Sequence, residues 1–356
     1  MYYPSNVVSK LNVYKPLIIL LSILAWICLL NIFNLENKKF VNDLYLTSNK
    51  EAVDSKENEV AVNKNEILSI LYNKAEYDEI ISPFVPITIR DRIRVSQKYK
   101  LLSCSLHKHL SSMISPAMCY LKDEHEYVKK YGDVIAENQN ACINSGDFHH
   151  NVLEVLKYNE LDDWIFFSLS RDPIERFISG FSNICIDILN MEQRALCYNC
   201  GSNMDCFVTT LYKDILNYSR TRRMMNYFIA AHFFPQNWMC DYFQFFRKYV
   251  IISYSSNRDK EVELLEGLKR IFDKANIPQE SQKFIMTKFN STKTVHSTIN
   301  SESHKVAVKM LYESPKLMRI LYKIFYYDFI LFNYSIPEEY LPKVAPVKKL
   351  TEYRLR

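Results

Sequence analysis

Glycine is scarce in this chain, with 5 residues among 356, so a wide glycine-built loop around a nucleotide has little to be made from. No Gly-x-x-x-x-Gly-Lys string occurs, which argues against a P-loop kinase. No Asp-x-Asp pair is present to hold a metal-bound nucleotide sugar, although metal-independent transferases exist. A large excess of one charge is also missing. The net charge of +5 is modest for 42.2 kDa, which speaks against a dedicated nucleic-acid binder but suits anionic ligands. No internal repeat is visible. What is plentiful is apolar and aromatic: 48% hydrophobic residues, with 25 Tyr and 21 Phe, enough for one large compact domain or two small ones.

Leu17 to Leu35 is an uncharged apolar run, close to the about 20 residues that a bilayer span needs. No small-x-small cleavage site follows it, so it reads as an uncleaved transmembrane anchor. Lys10 and Lys15 precede it and Lys38 and Lys39 follow it. The charge bias is slight, and the short N-terminal tail favours residues 1–16 inside and the rest in a lumen. The sequons at Asn217, Asn290 and Asn333 all lie on the luminal side. Of 9 cysteines, Cys28 is in the span. The remaining even set, Cys104, Cys119, Cys142, Cys185, Cys197, Cys200, Cys206 and Cys240, suggests disulfides of undeducible pairing. Cys197-x-x-Cys200 followed by Cys206 is the alternative start of a zinc site, but lacks a second ligand pair, and no metal is expected.

Residues 36–81, rich in Asn, Lys, Glu and Ser, read as a stalk. Residues 82–340 read as one catalytic domain and 341–356 as a C-terminal tail. Tyr99 to Ser103, Trp164 to Leu169 and Tyr249 to Tyr254 are short apolar runs that predict buried strands. Glu261 to Ala275, Lys305 to Tyr312 and Pro315 to Phe332 predict helices, the last opened by Pro315 after Ser314. Strands separated by helices need crossovers. The expected class is α/β, a P-loop-like, mostly parallel sheet flanked by helices behind the anchor.

Two strand exits carry charged and hydroxyl residues. Lys100 to Ser112 runs from a strand into a turn, with a helix expected from Met113. Free N–H groups there, with the Ser111 and Ser112 hydroxyls and Lys108, make an anion cradle; the plainer alternative is that a serine caps the helix and Lys108 is solvated. The second exit reads Arg171-Asp-Pro173-Ile-Glu-Arg176-Phe-Ile-Ser179-Gly-Phe181. Pro173 suits a first helical turn with Asp172 at the N-cap, and Arg171 points into the crevice where open α/β sheets bind ligands. Its planar fork suits a phosphate, with Ser179 brought to the same side by the helix. Arg176 is expected to pair with Asp172.

This second string resembles the 3′-phosphate-binding motif of Golgi carbohydrate sulfotransferases, and Cys104 to Ser112 is similar to their 5′-phosphosulfate loop. The resemblance extends to His232–Gln236 and Tyr326–Phe332, spanning about Lys98 to Ile336, and is strongest to the branch of chondroitin and HNK-1 enzymes. His109 departs from the pattern, since the family commonly has a smaller or amide side chain there. The resemblance implies a PAPS donor (3′-phosphoadenosine 5′-phosphosulfate), with Lys108, Ser111 and Ser112 at its phosphosulfate end and Arg171 and Ser179 at its 3′-phosphate. It also implies a glycan acceptor, anionic or neutral, and a Golgi membrane location. Lys108 is the expected stabiliser of the leaving oxygen and His232 the expected base, because a neutral imidazole suits that task near pH 7. His149 and His150 are rival bases or acceptor-binding residues. Arg220, Arg222 and Arg223 suit an acidic sugar polymer or a solvated helix face. His296 and Lys305 are candidates to close over the donor.

Two other readings share parts of this pattern. A Golgi glycosyltransferase would have the same anchor, stalk and cysteines. An inactive luminal glycan-binding protein would keep the fold, but loss of Lys108 or Arg171 would be its mark, and both are present.

Overall fold

The computed structural model describes residues 80–132 except 88 and 91, then 142, 148–156, 162–187, 196–255, 261–291 and 301–341. All belong to one compact unit, 70–356. The expected anchor 17–35, most of the stalk, the tail beyond 341 and His296 lie outside the described residues. Among the described residues no helix is long and apolar enough to cross a membrane.

In chain order, β1 (Ile93–Ser96) and β2 (Leu101–Cys104) form a hairpin followed by α1 (Ser111–Tyr120) and α2 (Glu124–Tyr131). Then come β3 (Phe148–His149), α3 (Val152–Leu156), β4 (Ile165–Arg171) and α4 (Pro173–Phe181), which runs on into a π turn, Ser182–Ile186. Next are α5 (Met204–Thr221), α6 (Tyr227–Phe233), α7 (Tyr242–Phe245) and β5 (Tyr249–Tyr254). The described chain ends with α8 (Glu261–Lys274), α9 (Gln279–Ser291), α10 (Glu302–Tyr312) and α11 (Pro315–Leu331).

The strands make one sheet in the order β3-β1-β2-β4-β5. Only one side of it is parallel: β2 pairs β4 and β4 pairs the edge strand β5 in parallel, whereas β1 runs antiparallel to both β2 and β3. The expected mostly parallel sheet is therefore corrected to a mixed one. The apolar runs announced β2, β4 and β5 as strands, and β2 and β4 are buried as expected, but β5 is an edge strand that buries Tyr249 and Ile252 and exposes Val250. β1 hides a charge: Arg94 is buried in its middle, with its guanidinium 3.5 Å from the centre of the Phe148 ring on β3.

Alternation along the inner strands divides the core between two faces. Leu101, Phe167, Leu169 and Ile252 pack with α1, α2, α8 and α9. Leu102, Cys104 and Phe166 pack with α4, α5, α6 and α11. All eight cysteines beyond the apolar run are joined, as Cys104–Cys240, Cys119–Cys142, Cys185–Cys197 and Cys200–Cys206. Cys197 and Cys200 thus belong to different bridges, which removes them as zinc ligands.

Candidate active site

Because β2 and β4 are parallel neighbours, with Cys104 beside Ser168, their C-terminal exits open on the same side of the sheet. The two sequence motifs meet there. The guanidinium of Arg171 donates through Nη1 to the main-chain oxygen of Lys108 at 3.1 Å. The loop turns without glycine: Lys108 and Leu110 both take left-handed backbone conformations, φ 68 and 55. Such residues cost on the order of 1–3 kcal/mol each and persist where surrounding contacts hold them.

Those contacts converge on Gln236, which follows α6. Its amide accepts from the Arg171 N–H at 3.1 Å and donates to the Arg171 oxygen at 2.8 Å, extending the exit of β4 as a neighbouring strand would. The same amide oxygen lies 2.5 Å from His109 Nε2, whose Nδ1 is 2.8 Å from the His107 oxygen. Burial, and then the Arg176 charge, push the His109 imidazole down to about 3. A neutral ring donates to only one of those two oxygens. Buried Asp328 on α11 accepts from the N–H groups of Gln236 and Asn237 at 2.7 and 2.8 Å and from the Asn237 amide at 2.6 Å. Desolvation raises its carboxyl to about 6 against these hydrogen bonds.

α1 begins at Ser111, two residues before the expected Met113. Its N-cap is Leu110, with no side-chain cap. Neither serine caps the helix, so its first turn keeps N–H groups for another acceptor. Ser111 is buried and Ser112 half-buried. Lys108 is not a solvated surface residue: its ammonium donates to Asn183 Oδ1 at 2.5 Å. Burial first, and the Arg171 charge second, lower its pKa to about 8.

Asp172 caps α4 as expected, accepting from Ile174 and Glu175 N–H at 2.9 and 3.0 Å. Arg176 does not pair with it. Its guanidinium is fully buried and donates to the Phe234 oxygen at 2.8 Å, with Asp328 its strongest charge partner. Arg171 Nε is 3.5 Å from Glu175, whose other oxygen accepts from Ser255 at 2.9 Å. Glu175 therefore competes with an incoming anion for that fork. Ser179 is buried on α4 beyond Arg176.

His232 lies near the end of α6, 8% exposed, with Nδ1 2.7 Å from the Phe228 oxygen. Its proton therefore sits on Nδ1 and its Nε2 is an acceptor. Burial, with Lys108 and Arg176 the leading charges against it, pushes the imidazole down to about 3. The ring is neutral at pH 7, as a base requires, but a weak one beside the charges of Lys108, Arg176 and Arg92. His149 sits on edge strand β3, 4.0 Å from Glu154, and His150 is an exposed residue whose N–H binds the same carboxylate. Arg220, Arg222 and Arg223 are exposed at the end of α5, and Lys305 pairs with Glu302 on the surface of α10.

Sequence reasoning gave no role to Asn183, Gln236, Asp328 or His107. Asp328 had a signal, being the only carboxylate in the apolar helix α11. The others are polar residues whose partners are 65 to 127 positions away, or a loop imidazole beside a more conspicuous lysine.

Comparison with known proteins gives the chain relatives in sequence. Residues 91–335 match the sulfotransferase family. The chain is 34% identical over 267 residues to the Caenorhabditis elegans protein C18B2.2, covering 73% of each. It is 26% identical over 272 residues to the carbohydrate sulfotransferase chst-1 of the same animal, covering 72% of this chain and 78% of that one. No solved structure matches.

Proposed function

The chain belongs to the sulfotransferase family, and from that premise we propose that it transfers a sulfuryl group from PAPS to a hydroxyl of a carbohydrate, a chondroitin-like glycosaminoglycan or related glycan. The observation that carries this reading is the latch between the two anion motifs, Arg171 Nη1 on the Lys108 oxygen. It joins the cradle at the start of α1 to the fork at the end of β4, so that both anion motifs open on one crevice at the C-terminal strand ends. Lys108, Ser111 and Ser112 hold the phosphosulfate end and Arg171 and Ser179 the 3′-phosphate.

In this reaction the protein aligns the acceptor in line and stabilises charge on the departing phosphate oxygen. Lys108 supplies that charge, and His232 takes the acceptor proton on Nε2. Buried Arg176 and half-buried Lys108 make the crevice cationic before the donor arrives, so each favours an anion there. The exposed Arg220, Arg222 and Arg223, at the end of α5 and just after it, favour an acidic acceptor. The relative named for carbohydrate sulfation and the anchor reading of 17–35 support a Golgi type II arrangement with domain 82–340 in the lumen. The paired cysteines fit an oxidising compartment.

The test is transfer of labelled sulfate from PAPS to desulfated chondroitin, dermatan, heparan and N-glycan acceptors. Label that appears with wild type and disappears with Lys108→Ala is the expected result. PAPS left intact with every acceptor, and equal label in the variant, are the results against it.

A further inference from the structure

The loop that carries Lys108 also presents a second imidazole, and it lies against the first. The rings of His107 and His232 are stacked, centroids 3.9 Å apart and planes 25° from parallel. His107 is half-buried and its chain neighbour Lys108 reaches Asn183. Behind His232 lies the Phe228 ring at 4.2 Å, and its Nδ1 is fixed on the Phe228 oxygen. His232 is therefore oriented by α6, whereas His107 is placed by the anion loop itself. The stack joins α6 to the loop that carries Lys108.

We propose that His107 and His232 act as one two-imidazole base for the acceptor hydroxyl. This rests on the sulfuryl-transfer reading. The acceptor oxygen forms the new O–S bond, and the S–O bond to the 5′-phosphate breaks with its electron pair leaving on the nucleotide. The hydroxyl proton passes to an imidazole nitrogen of the pair. Two neutral rings in van der Waals contact take up at most one proton beyond the one that each carries, because a second would place like charges face to face. The charged groups facing both rings are Arg92, Lys108 and Arg176, and with burial they keep the empty pair neutral. The donor's negative charge offsets these three cations. The pair thus becomes an effective base only once the donor is in place, which couples proton removal to donor occupancy.

The test compares wild type with His107→Gln, His232→Gln and the double variant, in the full chain, by PAP affinity and by kcat for sulfate transfer. PAP affinity should stay within about twofold while each single variant loses about 10²–10⁴ in kcat, and the double variant should lose no more than the worse single one. A His107→Gln enzyme within threefold of wild-type kcat overturns the proposal, as do single losses that multiply in the double variant. Loss of PAP binding in His107→Gln overturns it too, by making His107 a donor ligand. If the Gln variant does not fold, His107→Asn takes the same readouts. If wild type binds PAP but labels no acceptor, the same pattern is sought in the slow hydrolysis of PAPS by water. A wild type that does not bind PAP instead removes the sulfuryl-transfer reading, before any variant is compared.

Discussion

Burial leaves Lys108 with a charge that an anion beside it would reinforce. Its pKa falls from 10.5 to about 8, mainly through burial and then through Arg171. A depressed lysine costs the fold stability in its charged form. That cost is present in full below about pH 8 and disappears above the ordinary lysine value. An anion in the cradle favours the charged ammonium and moves the pKa back up. PAP binding near pH 8 should therefore take up a fraction of a proton, fading towards pH 6, and affinity should weaken as pH rises above 8. Calorimetry at pH 8 in two buffers of different ionisation enthalpy measures this; binding with no proton uptake would place Lys108 away from the anion. The sequence singled out Lys108 and Arg171 because each is a cation at or just past the end of a buried apolar strand, and the structure brings the two into contact. The pairing of Arg176 with Asp172 was misjudged for a physical reason: helical spacing permits it, but the buried carbonyl of Phe234 and the nearby Asp328 offer the guanidinium more than a cap already occupied by two N–H groups.

Elements place these residues through close contacts that leave little room. α4 approaches α6 at Gly180, where an added Cβ would meet Phe233 Cε1 at 2.8 Å. The Phe233 ring is itself enclosed by Phe177 and Phe207 at 5.9 and 4.8 Å between centroids. Alanine improves helix propensity by about 1 kcal/mol, while overpacking an enclosed ring costs about 1–3 kcal/mol, so the clash prevails. Gly180→Ala should lower the melting temperature, and kcat should fall further than donor affinity because His232 adjoins Phe233. Unchanged melting and kcat would mean that the two helices separate without consequence. At this scale the apolar pattern revealed β5 at its observed ends, and α8, α10 and α11 to within a few residues. It did not reveal β1 and β3. One is four residues long, with Arg94 between Ile93 and Val95, and the other is two residues long, so neither presents an apolar run.

Across the whole molecule, the sheet, the bridges and one buried carboxylate make a single support for the crevice. The Cys104–Cys240 bridge ties the end of β2 to the segment after Gln236, closing a separation of 136 residues. Long closures of this kind restrict the unfolded chain most. Asp328 holds the same segment from α11. That the cysteines pair was legible from their even number beyond the apolar run; which cysteine meets which was not, because pairing follows the fold. The α/β class was likewise legible, but the antiparallel edge was not.

The central claim is that Lys108 and Arg171 hold opposite ends of one nucleotide. Its most direct test is the binding of PAP and of AMP, which lacks the 3′-phosphate, to wild type, Lys108→Ala and Arg171→Ala. Wild type should favour PAP strongly. Arg171→Ala should lose about 1.5–3 kcal/mol for PAP and little for AMP, since a charged hydrogen bond of that size is removed, whereas Lys108→Ala should weaken both ligands. Equal losses of PAP and AMP in Arg171→Ala, or a wild type that does not distinguish them, would contradict the account.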